Sequence, residues 1–165
     1  MKKHLATLML LPGLLLAGSV ALAAPAADSA ITNPRLINPP AFMARYKVWH
    51  YSQMVKVGNT IWMSGQVGRR GAKMVDGVAA QARVAFENIR TNLAAAGASL
   101  ADVVEIMSYH RSLADRDFAA FARVKDEFFP TDYPAWTVVG VSRLADPAAL
   151  LEIKVIAVIP DKGGK

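Results

Sequence analysis

The chain has 165 residues, a formal net charge of +6 and no cysteine. The length is that of one domain, and the lack of cysteine excludes disulfides, a thiol nucleophile and cysteine-ligated metal. The mild positive charge falls short of the dense basic field of a dedicated nucleic-acid-binding protein, so the composition disfavours nucleic acid as the main partner.

The first 23 residues have the pattern of a secretory signal peptide. Two lysines precede an apolar run over residues 5–22, and an A-x-A cleavage signal ends at Ala23. An uncleaved membrane anchor is the alternative, because the run approaches the length of a bilayer span, but Pro12 interrupts it and favours cleavage. We therefore expect a periplasmic or secreted protein without an integral membrane domain after signal removal.

The segment after the signal has no apolar periodicity. Residues 24–41 mix Pro, Ala, Asn and Ser, a composition that predicts a flexible tether. We expect the folded domain over residues 42–160 and a short polar tail over residues 161–165.

The domain is predicted to begin with a hairpin. Residues 47–57 and 60–66 are rich in β-branched and aromatic side chains and flank Gly58-Asn59, a strong signal for a two-residue turn. A basic, glycine-rich loop follows at residues 68–71, and residues 73–75 are a candidate short strand.

The pattern then changes to a helical period. Apolar residues from Val78 to Leu93 recur at intervals of three and four, while Gln81 and Asn92 are among the polar residues assigned to the opposite side. This predicts an amphipathic helix of about five turns. Gly97 is placed to end it in a left-handed conformation.

A second helix is predicted to begin with Asp115 as its cap, to carry phenylalanines on its apolar face and to end before Pro130. Asp146-Pro147 predicts a turn between the last two strands. The remaining strands are predicted over residues 103–112, 135–142 and 150–159.

The order β-β-(β)-α-β-α-β-β predicts an α+β fold, a mixed β-sheet with two helices on one face. On the last strand the alternate residues from Leu151 to Ala157 point one way, while Glu152 and Lys154 share the other side with apolar neighbours. A half-apolar face with two charges is typical of a surface that meets another subunit, so we expect an oligomer.

Few residues carry a recognisable catalytic pattern. His50 and His110 lie on different predicted strands without carboxylates at metal-ligand spacing, so no metal site is predicted. We interpret His110 as a strand-end residue satisfied by a hydrogen bond. Arg69, Arg70 and Lys73 could contact RNA phosphates, but a basic cluster on a turn is more often solvated.

Glu152 is the most informative residue, because a carboxylate among leucines and isoleucines is costly to remove from water unless a partner compensates it. One interpretation is an ion pair across a subunit interface with Lys154 or an arginine. The other is a carboxylate with a raised pKa that positions water or moves protons.

Over residues 46–159 the chain resembles the RidA (YjgF-type) family. The resemblance is carried by the run from Val57 to Gln66, by residues 81–104, by Tyr133-Pro134-Ala135 and by residues 151–158. It implies a chorismate-mutase-like fold whose three subunits pack their sheets into a central barrel, with a ligand cleft at each subunit interface. It also implies hydrolysis of 2-imino acids or their enamine tautomers to 2-keto acids and ammonia, without a metal or organic cofactor.

The resemblance assigns catalytic roles to three residues. The tyrosine of the family's N-terminal segment falls on Tyr51, the S-G-Q motif on Ser64 and Gly65, and the glutamate that orients the attacking water on Glu152. Tyr51, Ser64 and Glu152 are therefore the predicted catalytic residues. The predicted substrate-binding residues are Gly65, Trp136, Ala122 and Thr137.

Two positions depart from the family pattern. Trp136 replaces the arginine that grips the substrate carboxylate, and Ala122 replaces an asparagine of the cleft. Loss of a bidentate cationic partner is expected to cost about 2–5 kcal/mol of affinity for an anionic group. An indole offers an apolar wall and one N–H donor, so we expect a less anionic, flatter or more apolar ligand.

Three functions follow from these residues. The first is an exported homotrimer that binds a small molecule without standard imino-acid deaminase activity. The second is a hydrolase of a related imine or enamine that releases ammonia. The third is RNA binding or cleavage, for which the sequence offers neither paired histidines nor a strong basic groove.

Overall fold

The computed structural model describes residues 35–160, where a mixed sheet is backed by helices. The predicted signal peptide, the first part of the predicted tether and the predicted tail lie outside these residues. In chain order the elements are β1 (Arg35–Ile37), α1 (Met43–Trp49), β2 (Met54–Val57), β3 (Thr60–Met63), β4 (Arg69–Arg70), β5 (Lys73–Met74), α2 (Val78–Ala95), β6 (Val103–His110), α3 (Asp115–Phe128), β7 (Ala135–Gly140) and β8 (Leu151–Val158).

The main sheet has six strands in the order β1-β2-β3-β8-β6-β7. Strands β6 and β7 are parallel, and the other neighbours are antiparallel. A parallel pair needs a long crossover connection, which α3 supplies. The short strands β4 and β5 form a separate two-stranded ribbon. The predicted mixed α+β fold is thus confirmed.

Helices α2 and α3 cover one face of the sheet. Phe86 and Ile89 of α2 and Phe121 of α3 are fully buried in one cluster with Ile106 of β6 and Ile153 of β8. This cluster is the hydrophobic core, and it confirms that these two helices share a face.

Strand β8 shows why the two faces differ. Leu151, Ile153, Val155 and Ala157 are at most 1% exposed, whereas the intervening residues are half-buried or exposed. The predicted alternation is therefore confirmed. The face away from the helices is partly apolar, because Ile156 pairs there with Trp62, which is 39% exposed.

The first hairpin confirms the predicted turn but not the predicted start of its first strand. Val57 pairs with Thr60 across Gly58-Asn59, and Gly58 has a φ of 57°. Residues 47–49, predicted as strand, instead belong to α1. That helix ends where His50 adopts a left-handed conformation and donates its backbone N–H to the carbonyl of Tyr46, at 3.1 Å.

Part of the predicted tether is ordered. Residues 35–37 form β1, an edge strand paired with β2, and Pro40–Phe42 form a short 3-10 helix. The side chain of Asn38 accepts a hydrogen bond from the backbone N–H of Gln53, at 2.7 Å. Backbone pairing thus holds a segment whose side chains gave no strand pattern.

Helix α2 differs from its predicted amphipathic pattern at two polar residues. Gln81 and Asn92 were assigned to the polar side, yet they are only 2% and 1% exposed. The Gln81 amide nitrogen donates to the carbonyls of Val75 and Ala148, and its oxygen accepts from the backbone N–H of Leu150. These bonds replace the water that burial removes.

Residues at the C-terminus of α2 and at the N-terminus of α3 favour ending and starting a helix there. Gly97, with a φ of 78°, follows α2 as predicted. Ala114 rather than Asp115 occupies the N-cap of α3, and Asp115 is the first helical residue, where its charge still favours the helix N-terminus. Within residues 35–160, no helix combines the length and apolar character needed to span a bilayer.

Candidate functional site

The candidate residues fall into two groups on opposite faces of the sheet. Glu152 pairs with Tyr109 of β6 and belongs to the open face. Trp136 pairs with Ile106, whose other neighbour is the buried Val155, and therefore belongs to the face covered by helices. Residues opposite each other in a ladder share a face, so the sheet separates the two groups within one chain.

The Glu152 cluster, defined as Ser64, Gly65 and Glu152, forms where the chain leaves β3 and meets the start of β8. A Cβ atom added to Gly65 would overlap Oε1 of Glu152 and lie 2.8 Å from its Cγ. Only glycine therefore allows the Glu152 carboxylate to rest against the backbone at this point.

Hydrogen bonds fix the backbone beneath this cluster. The Ser64 hydroxyl donates to the carbonyl of Ser52, at 2.8 Å. The Gln66 amide nitrogen donates to the carbonyls of Ser64 and Gly65, at 2.7 and 3.0 Å. Asn92 of α2 in turn donates to the Gln66 amide oxygen, at 3.2 Å. Asn92 of α2 thus supports the backbone of the cluster through Gln66.

Burial raises the pKa of the Glu152 carboxyl group above its ordinary value. Among residues 35–160 no cationic side chain lies within salt-bridge distance of this carboxylate. The predicted ion pair with Lys154 or an arginine lies across a subunit interface and stays a prediction. A carboxyl group whose charged form is disfavoured by desolvation suits proton transfer.

Trp136 packs into the helix face. Its indole N–H donates to the hydroxyl of Ser108, at 2.9 Å, and its ring stacks on Phe118 with 5.8 Å between centres and an angle of 11°. Ser108 therefore takes the N–H donor that was expected to be available to a ligand. Only the remaining ring surface is available as an apolar wall.

A concavity of about 340 Å³, here called the Trp136 groove, lies beside this ring. Its lining residues are Ile106, Lys125, Asp126, Tyr133, Pro134 and Trp136. The Lys125 ammonium group lies 4.9 Å from the centre of the Trp136 ring and 5.8 Å from that of Tyr133.

Sequence reasoning missed Lys125. A lysine on the buried face of a predicted helix was the available signal, since this position lies between Phe121 and Phe128 in the apolar pattern of α3. Its presence corrects the expectation that the groove wall offers a ligand only an aromatic ring and no cation.

Ala122 and Thr137, two further predicted substrate-binding residues, lie on opposite faces of the sheet. Ala122 lies on the α3 row that contains Phe118 and Lys125, and so belongs to the helix side with Trp136. Thr137 pairs with Met107 and points to the opposite, open face, where it is exposed. Adjacent residues of a strand alternate in direction, so Trp136 and Thr137 do not line the same groove.

The basic loop is neutralised in part by neighbouring acids. Arg69 forms an ion pair with Asp146, and Arg70 forms one with Glu87 at 2.7 Å. Of the three basic residues considered for RNA contact, only Lys73 has no ion pair within residues 35–160.

The two histidines do not form a site. His50 is exposed at the end of α1, whereas His110 is 2% exposed and packs edge-on against Phe121 with 4.6 Å between ring centres. Burial lowers the pKa of His110. Its Nε2 atom has no hydrogen-bond partner among the described residues, so the expected hydrogen bond at that atom is not formed. Residues 35–160 contain no group of three potential metal ligands.

A larger concavity of about 590 Å³ opens at the far end of the first hairpin, beside Gly58 and Gly97. It contains none of the predicted site residues. The candidate functional groups therefore lie in the Glu152 cluster and the Trp136 groove.

The fold defines a class of α+β proteins in which two helices cover one face of a mixed six-stranded sheet and leave the other open. A family model described as Endoribonuclease L-PSP matches residues 43–159. The chain belongs to this family, also known as the RidA/YjgF family.

Its relatives include enzymes and structures from distant organisms. It is 39% identical over 128 residues to a 2-iminobutanoate/2-iminopropanoate deaminase of Dermatophagoides farinae, covering 76% of this chain and 96% of that protein. It is 39% identical to the RutC family protein YjgH of Escherichia coli K12, covering 71% of this chain and 88% of that one. The solved structure of protein YJGH aligns with a TM-score of 0.69 at 36% identity, over 78% of this chain and 98% of that chain.

Gly65→Ala is expected to displace the Glu152 side chain while preserving the fold, because the three atoms nearest to the added methyl group all belong to that flexible side chain. We expect a stability loss below about 1 kcal/mol, measured by chemical denaturation, and a rotated Glu152 in a crystal structure. Gly68→Ala is the matched control: its Cβ would overlap the Gln81 backbone, so it should lose about 1–3 kcal/mol. Equal losses in both variants would contradict this account.

Glu152→Gln is expected to raise the thermal midpoint at pH 7. Because the folded-state pKa of Glu152 lies above its unfolded value, ionisation costs stability as pH rises through the interval between the two values. The neutral amide avoids this cost, so the difference between variant and wild type should shrink on acidification towards pH 4. A variant destabilised at pH 7 would instead indicate that Glu152 forms a stabilising ion pair with another subunit.

Proposed function

We propose that this protein hydrolyses the C=N bond of a small imine, or of its enamine tautomer, with Glu152 handling the proton of the attacking water. The observation that carries the proposal is the half-buried Glu152 carboxyl group, held against Gly65 with a raised pKa and with no cation within salt-bridge distance among residues 35–160. The name of the Dermatophagoides farinae relative, an imine deaminase, supports the same reaction class.

The reaction balances with one carboxyl group. The Glu152 carboxylate takes a proton from water as the water oxygen attacks the imine carbon, and it returns that proton to the nitrogen to give a carbinolamine. It then takes the hydroxyl proton and passes it to the departing nitrogen. The C–N bond breaks, ammonia leaves and a carbonyl group remains, so the carboxylate is regenerated.

Ser64 is suited to positioning rather than to nucleophilic attack. Its single hydroxyl proton is donated to the Ser52 carbonyl, so only its oxygen lone pairs remain for a ligand. Such an acceptor can hold the N–H group of an imine or carbinolamine. Tyr51, which is 37% exposed next to Ser52, adds a surface against which the substrate can lie.

A second copy of the chain would complete the site. The Glu152 cluster and the Trp136 groove lie on opposite faces of the sheet, so one cleft can contain both only if each comes from a different chain. The partly apolar open face around Trp62 and Ile156 offers a surface for such assembly. We propose a homotrimer with one cleft at each interface, exported to the periplasm or secreted, as the N-terminal sequence pattern indicates.

A second candidate is a small-molecule-binding protein of the same assembly without standard 2-imino acid deaminase activity. It is favoured by Trp136 at the position where the family resemblance places an arginine. RNA cleavage, suggested by the family's description, is less well supported because Arg69 and Arg70 are engaged in ion pairs.

Glu152→Gln is expected to lower kcat for imine hydrolysis by about 10²–10⁴-fold, because an amide cannot accept the proton of water. An amino-acid oxidase forms 2-iminobutanoate in situ, and semicarbazide traps the imine as a semicarbazone. Hydrolysis by the protein is measured as the decrease in semicarbazone formation. Glu127→Gln makes the same chemical change at an exposed residue of α3 and is the control. Unchanged turnover in Glu152→Gln rejects the proposed role. Ligand binding without turnover by the wild type favours the second candidate.

A further inference from the structure

Lys125 is a buried cation in the wall of the Trp136 groove. The residue is 9% exposed, while Arg123, two positions earlier on the same helix, is exposed. An ammonium group is costly to remove from water unless neighbouring charges or dipoles compensate it. A lysine held in this position therefore needs a physical reason.

Within residues 35–160, the groups around the Lys125 ammonium compensate its loss of water only in part. The faces of Trp136 and Tyr133 attract the cation, and the Asp126 carboxylate accepts one hydrogen bond from Nζ, at 2.5 Å. Asp126 is the adjoining residue, and its side chain is 62% exposed. Lysine carries three N–H donors, so this single bond leaves donor capacity beside the groove.

We propose that Lys125 is the specificity-determining residue of the Trp136 groove and binds the carboxylate of a small ligand whose apolar part lies against the Trp136 and Tyr133 rings. This rests on the proposed function, because the ligand is the small imine on which that reaction acts. The ligand carboxylate takes the place of Asp126, whose exposed side chain can turn into solvent. Lys125 thereby supplies the positive charge that Trp136 cannot.

The surroundings favour a monoanion of modest size. Lys125 lies in the last turn of α3, where the helix dipole presents partial negative charge. That field stabilises the lysine but opposes a doubly charged group such as a phosphate dianion. The groove of about 340 Å³ is near the lower end of the 300–1,000 Å³ that is typical of small-molecule pockets.

The test is a binding comparison between an acid and its neutral amide. The purified protein is titrated with 2-oxobutanoate and with 2-oxobutanamide, and binding is followed by NMR. We expect the wild type to prefer the acid, and Lys125→Met to weaken acid binding at least about 30-fold while changing amide binding less than about threefold. Lys125→Arg keeps the charge and should retain the preference for the acid.

Arg123→Gln is the matched control, because it removes an exposed charge from the same helix and should leave both affinities unchanged. Lys125→Gln gives the same test if Lys125→Met does not fold. Equal weakening of acid and amide would assign Lys125 a packing role and overturn the inference, as would a wild type without preference for the acid. An intact, Lys125-dependent preference for the acid without imine hydrolysis rejects the proposed reaction but supports the binding role.

Discussion

The two-residue period of β8 is the constraint on which the rest of the structure depends. This strand lies between β3 and β6 in the middle of the sheet, so its alternate side chains decide what each face contains. One set, from Leu151 to Ala157, is buried under both long helices and builds the core. The other set places Glu152 on the opposite face, which no helix of residues 35–160 covers. Core and candidate site are thus specified by the same eight residues.

Desolvation acts differently on the two faces. On the open face it raises the pKa of Glu152, and Gly65 gives that carboxyl group room against the backbone. On the helix face it surrounds the Lys125 cation with aromatic rings and leaves one exposed carboxylate as its ionic partner. A site for an imino acid needs both a group that exchanges protons, as Glu152 can, and a cation that binds the carboxylate, as Lys125 can. The sheet keeps them apart within one chain, so assembly would bring them together.

The sequence predicted the elements whose residues obey a clear period, including the core alternation of β8 and the turn at Gly58. It failed where non-local contacts decide: β1 is held by backbone pairing with β2, and Gln81 is buried because three backbone groups bond to its side chain. The site was predicted as single residues but not as an arrangement. Family resemblance located Glu152 and Trp136, whereas strand register was needed to separate Trp136 from Thr137, and packing was needed to reveal Lys125.

The central claim is that each working cleft takes Glu152 from one chain and Lys125 from another, and subunit mixing tests it most directly. Glu152→Gln chains and Lys125→Met chains carrying different tags are co-expressed, mixed oligomers are purified through both tags, and imine hydrolysis is measured at low substrate concentration. A trimer that contains both kinds of chain has one cleft in three with both residues intact, so about a third of wild-type activity should return. If no activity returns in the mixed oligomers, both residues serve the same cleft from one chain, and the account is contradicted.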